Sequence, residues 1–347
     1  MDHQPHVGII VPAKDQAPFI ADALASLTRQ FPDPRDLEVL LVDDGSTDGT
    51  GELAAAFSGR LPGLRILRNE SAAGVANARN QGLRAATAPL VGFLDPDDWY
   101  APGHLPALQS ALQQLDVDFV RCDHVRVTHG NRTLHRPPQA RRNTARDPRE
   151  DVDPVQEASM VDYCFVWAGL FRRSFLERVD GRFPAGMHTA EDRVWTWKLH
   201  LAAGSYAVVD APGVFYRRGV GTSLTQVYDA RQLDFVPCYL DIFGQVAASA
   251  DPDRFWPKAA RQFHAIASHH LKRSPGMDPR LRARLRQGIS TALAALPPQV
   301  RWDSLMQLDA RRRNALLPLA GWPDTAYLPA GGLLSRFRVP TSRVVRT

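Results

Sequence analysis

The apolar run from Leu90 to Leu94 stops at three carboxylates, Asp95, Asp97 and Asp98, with Pro96 between the first two. A strand of that composition is buried, so its acidic end must lie at a sheet edge. Side chains alternate along a strand, which puts Asp95 and Asp97 on one side, while Pro96 interrupts the ladder and Asp98 opens the next turn. Carboxylates crowded in this way repel one another unless a cation lies between them. Oxygen ligands favour magnesium, manganese or calcium over zinc. A solvated acidic turn gives the same pattern, so the neighbouring sequence has to decide.

Upstream, Val7 to Val11 is an apolar, β-branched run closed by Pro12, and Phe19, Ile20, Ala23, Leu24 and Leu27 then recur at helical spacing. Leu37 to Val42 is a second buried run that ends in acid, Asp43 and Asp44, before the turn Gly45 to Gly49 and a helix through Leu53 and Phe57. A third strand at Leu64 to Leu67 and a helix at Val75 to Ala86 lead to the acidic strand at 90 to 95. This alternation predicts an α/β fold with a doubly wound, mostly parallel sheet. Ligands of such sheets bind outside the carboxyl ends of the strands, where Pro12, Asp43, Asp44 and the acidic run converge. The dinucleotide fingerprint G-x-G-x-x-G is absent after strand one, which continues as Ala13-Lys14-Asp15-Gln16.

Downstream, the spacing predicts a helix within 101 to 117, a strand at Asp118 to Val127, and an amphipathic helix at Trp167 to Arg178. The stretch 128 to 157 is rich in Arg, Pro and Asp, and reads as a long mobile loop or an insertion near the site. Glu191 and Asp192 open a helix carrying Val194, Trp195, Leu199 and Leu201, where acid also suits the helix dipole. His188 reads as a loop histidine with no assigned chemistry. Two short strands, Tyr206 to Val209 and Val214 to Tyr216, precede Arg217 to Ser223, a loop of cations and hydroxyls suited to phosphate or to solvent. Helices are expected at 229 to 248, 253 to 271, 279 to 296 and 303 to 317, so the chain divides into a sheet domain, 1–225, and a helical region, 226–347.

At 347 residues and 44% hydrophobic, the chain is long enough for a large core. The absence of a membrane-length apolar run and of a signal peptide predicts a soluble, cytoplasmic protein. Cys122, Cys164 and Cys238 are odd in number and widely spaced, as reduced core thiols would be. Residues 251–347 hold 17 basic and 6 acidic residues, a charge of +11, which leaves −6 on the first 250 given the total of +5.

Five stretches occur together in order: Val7 to Pro12, Val42 to Thr50, Asn77 to Gly82, Leu94 to Asp98, and Glu191-Asp192. In this combination, over residues 6 to 225, the sequence resembles the family-2 glycosyltransferases. The resemblance implies an A-type glycosyltransferase fold, a UDP-sugar donor, Mn2+ or Mg2+, and inversion at the anomeric carbon. It also implies that Pro12, Ala13, Asp15, Asp44, Asn69 and Arg79 line the donor pocket, with Asp97 holding the metal and Asp95 the ribose or a metal-bound water. Asp192 takes the position of the catalytic base, with Glu191 beside it, and Arg217, Arg218 and Ser223 stand where diphosphate contacts are often found. Lys14-Asp15 replaces the usual aromatic and Asn, and a histidine common after the last strand is missing between 217 and 225.

A nucleotidyltransferase would carry a Gly-rich, cationic phosphate loop after strand one, which is absent here. A non-catalytic scaffold with a basic nucleic-acid-binding tail rests only on arginines such as Arg280 to Arg286, and Arg at helical spacing is ordinarily a solvated face, so no nucleic acid is expected. Apolar positions such as Phe235, Tyr239, Ile242 and Phe263 give the tail a packing face, for the sheet domain or for a second copy. Its basic surface suits an anionic acceptor, whether glycan, polymer or lipid-linked, or the anionic inner face of a membrane.

Overall fold

The computed structural model describes residues 3–219 and 229–321. The chain opens with β1 (Val7–Ala13), α1 (Ile20–Leu27), β2 (Leu37–Asp43), α2 (Thr50–Ala55), β3 (Leu64–Arg68) and α3 (Val75–Ala85). Next come β4 (Leu90–Phe93), β5 (Trp99–Tyr100), α4 (His104–Leu115), β6 (Phe119–Thr128) and β7 (Asn131–His135). These lead to β8 (Gly169–Arg172), α5 (Arg173–Arg178), α6 (Glu191–Ala202) and β9 (Tyr206–Arg218). The helical region comprises α7 (Phe235–Ala247), α8 (Pro252–Arg273), α9 (Pro279–Ala295), α10 (Pro298–Met306) and α11 (Ala310–Leu316).

One sheet runs β3-β2-β1-β4-β8-β6-β9-β5, with β7 added on β6. The first four strands are parallel, and β1 and β2 are buried along their whole length, which is why they read as unbroken apolar runs. β9 is parallel to β6, while β8 is antiparallel to β4 and β6, and β5 to β9. The class is the mostly parallel α/β sheet expected.

Several local expectations fail. The acidic strand ends at Phe93, so Asp95 and Asp97 are placed by a turn and not by strand alternation. Where a helix was expected at Trp167 to Arg178, residues 169–172 form β8 and only 173–178 are helical. Trp167, Leu170, Phe171 and Phe175 imitate helical spacing, but a Cβ on Gly169 would lie 2.3 Å from the Val120 carbonyl oxygen, a close approach reserved for strand pairing at glycine. The two strands expected at 206–216 are one, β9, with a register shift opposite Cys122 to His124.

Of the two readings of 128–157, the structure shows an ordered insertion and not a mobile loop. β7 forms a hairpin with β6, and Asp151 accepts from Arg146 Nε at 2.8 Å, Gln139 Nε2 at 2.6 Å and the Tyr206 hydroxyl. Arg142 Nη1 reaches Asp123 at 2.7 Å. The last expected helix is two, because Asp309 caps α11 through the Arg312 amide at 2.9 Å.

Two apolar cores result. The larger follows the sheet, and the smaller joins α7, α8 and α9 to Val152, Val161, Val194 and Trp197. α6 lies between them, giving Trp195 and Leu199 to one and Val194 and Trp197 to the other. On α9, Leu281, Leu285 and Ile289 face inward while Arg280, Arg284 and Arg286 are exposed. Cys122, Cys164 and Cys238 are buried and free. Among the described residues, no helix is long and apolar enough to cross a membrane.

Candidate active site

Past β4 the ladder gains one more bond, Leu94 N to Ile10 O at 3.0 Å, and a turn closed by Asp98 N to Asp95 O at 3.0 Å projects the carboxylates. Asp98 is fully buried and accepts the Arg217 amide at 2.7 Å, which fastens β9 to the acidic edge. Its Oδ2 has no protein partner, and burial followed by the charges of Asp95 and Asp97 pushes its carboxyl well up. Burial and Asp95 likewise push Asp97 up to about 6.

Arg79 on α3 is 6% exposed and bridges two segments. Its Nη2 donates to Asp95 Oδ1 at 3.1 Å and its Nη1 to Glu191 Oε1 at 2.8 Å, while Nε has no partner. The guanidinium lies over the Phe183 ring at 5.3 Å. Next to it, Asn80 exchanges two 2.8 Å hydrogen bonds with the backbone of Phe183. Phe183 stacks on Trp195 of α6 at 4.9 Å, and Trp195 Nε1 donates to Gly181 O at 2.7 Å. The segment 181–183 is thus pinned between α3 and α6, and the first turn of α6 is delivered to the acidic edge. Ala190, just ahead of that turn, has a φ of 64°, in the left-handed region where a Cβ is strained. Glu191 is pushed up to about 7, first by burial and then by Asp192, and burial also raises the half-buried Asp192.

The other expected donor contacts lie beside this network. Pro12 and Ala13 end β1 in register with Val42 and Asp43, and Ala13 O accepts the Asp44 amide at 2.8 Å. The Asp44 carboxylate accepts from Asn69 Nδ2 and the amides of Ala73 and Gly74, each at 2.8 Å, so it organises the loop after β3. Asp15, at φ 50°, accepts the Thr47 amide at 2.8 Å and pairs with Lys14 at 2.8 Å, tying the loops after β1 and β2 together. Arg217 is turned to Asp22 at 2.9 Å and to the Asp97 carbonyl at 2.9 Å, and Arg218 bonds the Tyr216 hydroxyl at 2.8 Å. Ser223 lies outside the described residues. His188 bonds Asp234 through its amide at 2.7 Å and Nδ1 at 3.2 Å.

The fold therefore joins Arg79, Asp95, Glu191 and Asp192 around the turn that carries Asp97, with Asp15, Asp44 and Asn69 in the adjoining loops. Sequence reasoning missed Asn80 and Phe183, although Asn80 stands inside the Asn77 to Gly82 motif. It also missed that Asp98 is an anchor for β9.

Among the described residues, no group of three or more His, Cys, Asp or Glu is disposed to hold a metal. Asp95 and Asp97 nevertheless fit a hard divalent cation. Both are oxygen donors, burial and then the Asp95 charge raise Asp97, and no cation forms a salt bridge with Asp97 among the described residues. Magnesium-like ions are commonly held by one or two carboxylates together with substrate phosphates.

The architecture is the A-type glycosyltransferase fold. Superposition on the solved S. aureus TarS 1–349 in complex with UDP-GlcNAc gives a TM-score of 0.71 at 19% identity, covering 91% of this chain and 90% of that one. The mannosyltransferase PcManGT from Pyrobaculum calidifontis, in complex with GDP-Man and Mn2+, gives 0.51 at 22% identity, covering 92% and 87%. Residues 8–180 match the family model for Glycosyl transferase family 2, and the chain belongs to that family. It is 30% identical over 224 residues to the uncharacterized glycosyltransferase EpsJ of Bacillus subtilis (strain 168), 64% of either chain. It is 40% identical over 114 residues to the succinoglycan biosynthesis protein ExoU of Rhizobium meliloti (strain 1021), 33% of this chain and 32% of ExoU. The chain thus spans less than two thirds of the length of these relatives.

Proposed function

We propose that this chain is an inverting glycosyltransferase that moves a sugar from a UDP-sugar to an acceptor hydroxyl. The observation that carries the reading is the meeting of the acidic turn with the first turn of α6 through Arg79, which bonds Asp95 at 3.1 Å and Glu191 at 2.8 Å. One side of the site then holds the donor's diphosphate, and the other presents a carboxylate to the acceptor. Asp97, assisted by Asp95, would hold Mn2+ or Mg2+, which when bound neutralises negative charge on the diphosphate. Asp192 takes the proton from the acceptor hydroxyl, whose oxygen bonds to the anomeric carbon as the bond to the diphosphate oxygen breaks. Burial raises Asp192, which makes it a stronger base near neutral pH. Arg79, committed to two carboxylates, sets the position of Glu191 and with it the helix start. Asp15, Asp44 and Asn69 shape the loops that receive the nucleoside.

The UDP donor is supported by the TarS complexes with UDP-GlcNAc and UDP, and a role in cell-surface polysaccharide synthesis by the relative named for succinoglycan. A cytoplasmic protein peripheral to the anionic inner membrane face accords with the exposed arginines of α9, which could instead serve a homo-oligomer. The reading is tested by incubating the protein with a panel of UDP-sugars, with and without manganese. Metal-dependent release of UDP, abolished by chelation, is expected. Absence of release from every UDP-sugar under every divalent ion would sink it.

A further inference from the structure

Next to the acidic edge, rings from four segments meet: His124 of β6, His135 of β7, Phe165 and Trp167 ahead of β8, and Tyr216 of β9. Trp167 lies 5.0 Å from both Phe165 and Tyr216, Phe165 is 4.6 Å from His124, and His124 stacks on His135 at 5.2 Å. Trp167 and His124 form the buried base, at 4% and 0% exposure, while Phe165 and Tyr216 remain half-open. This wall adjoins the proposed site. Tyr216 precedes Arg217, whose amide holds Asp98, and the charges of Asp98 and Asp95 act on the Tyr216 phenol.

The wall is not simply core. His124 Nε2 and Arg126 Nε are buried without a partner, although His124 Nδ1 is satisfied by the Tyr163 hydroxyl at 2.6 Å. Buried polar groups are ordinarily paired, so orphaned nitrogens beside half-open rings call for a ligand that offers both apolar surface and hydroxyls. A pyranose has that chemistry, with a C–H face for the rings and a rim of hydroxyls for the nitrogens. A lipid chain would leave the nitrogens unpaired, and a bare phosphate would have no face to lay on the rings.

We propose that Phe165 and Tyr216, backed by the buried Trp167, form a platform for a pyranose of the acceptor, which makes the acceptor a glycan. The proposal rests on the transferase reading above and names its acceptor class. Saturation-transfer NMR with methyl glycosides of glucose, galactose, mannose and N-acetylglucosamine, in the presence of UDP and diamagnetic magnesium, tests it without requiring turnover. At least one glycoside should receive saturation on its ring protons, and Phe165→Ala and Tyr216→Ala should weaken its binding about fivefold, the scale of one lost aromatic contact. Tyr216→Phe, which keeps the ring, should retain binding, and matched melting temperatures would exclude a general loss of fold. Contact with no glycoside, or contact undiminished in both alanine variants, overturns the platform. Glycerol phosphate bound in place of the glycosides and lost in the same variants would assign the wall to phosphate and also overturn it. Glycoside contact in a protein that releases UDP from no UDP-sugar would instead count against the transferase reading.

Discussion

Lys258 and Arg79 are both cations buried beside α6, and they are partnered in opposite ways. Lys258 has no exposure, and its ammonium meets Glu157 O at 2.6 Å, Asp162 Oδ2 at 2.7 Å and Pro154 O at 3.0 Å. Asp162 is completed by the Ser159 amide at 2.9 Å and Gln262 at 2.8 Å, and Gln262 in turn accepts Trp197 Nε1 of α6 at 2.8 Å. Around Arg79 the network is unfinished, since Arg79 Nε and Asp98 Oδ2 have no protein partner and Asp97, Asp98, Glu191 and Asp192 are all raised. A finished network of buried charge is a joint, here between the helical region and α6. An unfinished one holds charge in readiness for something that arrives.

The comparison breaks most visibly at the joint. Lys258→Met removes the buried cation and leaves Asp162, a quarter exposed, with only Ser159 and Gln262, so stability should fall by about 3 kcal/mol, the low end for a broken buried pair. Denaturant unfolding checks this, and an unchanged midpoint would show that the joint carries no load. Asp192→Asn should do the reverse, with the unfolding midpoint kept and kcat lowered at least about 100-fold, the scale of a positioned base. UDP affinity should stay near wild type. If it fell in parallel with kcat, Asp192 would belong to the donor pocket.

The two clusters were not equally legible in the sequence. The acidic edge was visible because its residues are close together and end apolar runs, as Leu94-Asp95 and Val42-Asp43 do. The joint was invisible, since Lys258 and Asp162 meet across 96 positions and each alone looks like a solvated charge. For the same reason 128–157 read as a mobile loop. Its order comes from Arg142 with Asp123 and Arg146 with Asp151, and apolar periodicity carries no trace of an ion pair. Within the site, Asn80 was missed because its partner is the backbone of Phe183, and any residue type there has the same amide and carbonyl. The parallel half of the sheet was read correctly for the opposite reason: burial on both faces forces an unbroken apolar run.

Proton binding sharpens the contrast at the site itself. Glu191 is pushed up to about 7 by burial and by Asp192, and the two carboxylates titrate as a pair. The proposed base, Asp192, works only when unprotonated, so kcat/KM should fall by about tenfold per unit once the pH drops below its raised titration range, above that of an ordinary aspartate. In Glu191→Gln the Arg79 guanidinium, whose charge favours ionised Asp192, is no longer shared with a second carboxylate on α6, so the acid limb should move to lower pH. An acid limb in the same place in both proteins would show that Glu191 does not set the ionisation of the base.

The smallest effect tests the idea of readiness directly, through stability. Asp97 is held up to about 6 in the fold against 3.8 when unperturbed, so between these values the folded chain keeps a proton that the unfolded chain has released. Unfolding then releases a proton, and this group's contribution to stability falls as pH rises from about 4 to about 6. Asp162 has the opposite sign. It is held below its ordinary value by Lys258, despite its burial, so its contribution is complete above that value and is lost only as acid protonates it in the fold. Asp97→Asn should therefore abolish turnover yet make the metal-free protein more stable at pH 8, by about 1 kcal/mol after allowing for partial solvent screening, or about 1–2 °C in Tm. The gain should vanish at pH 4, where wild-type Asp97 is itself neutral. Manganese with UDP should raise the Tm of the wild type and not of the variant, because only the wild type retains the repulsion that a bound cation relieves. A variant with no pH-dependent gain would mean that Asp97 is not under electrostatic stress in the empty site, and the acidic edge would then differ from the Lys258 joint in geometry alone.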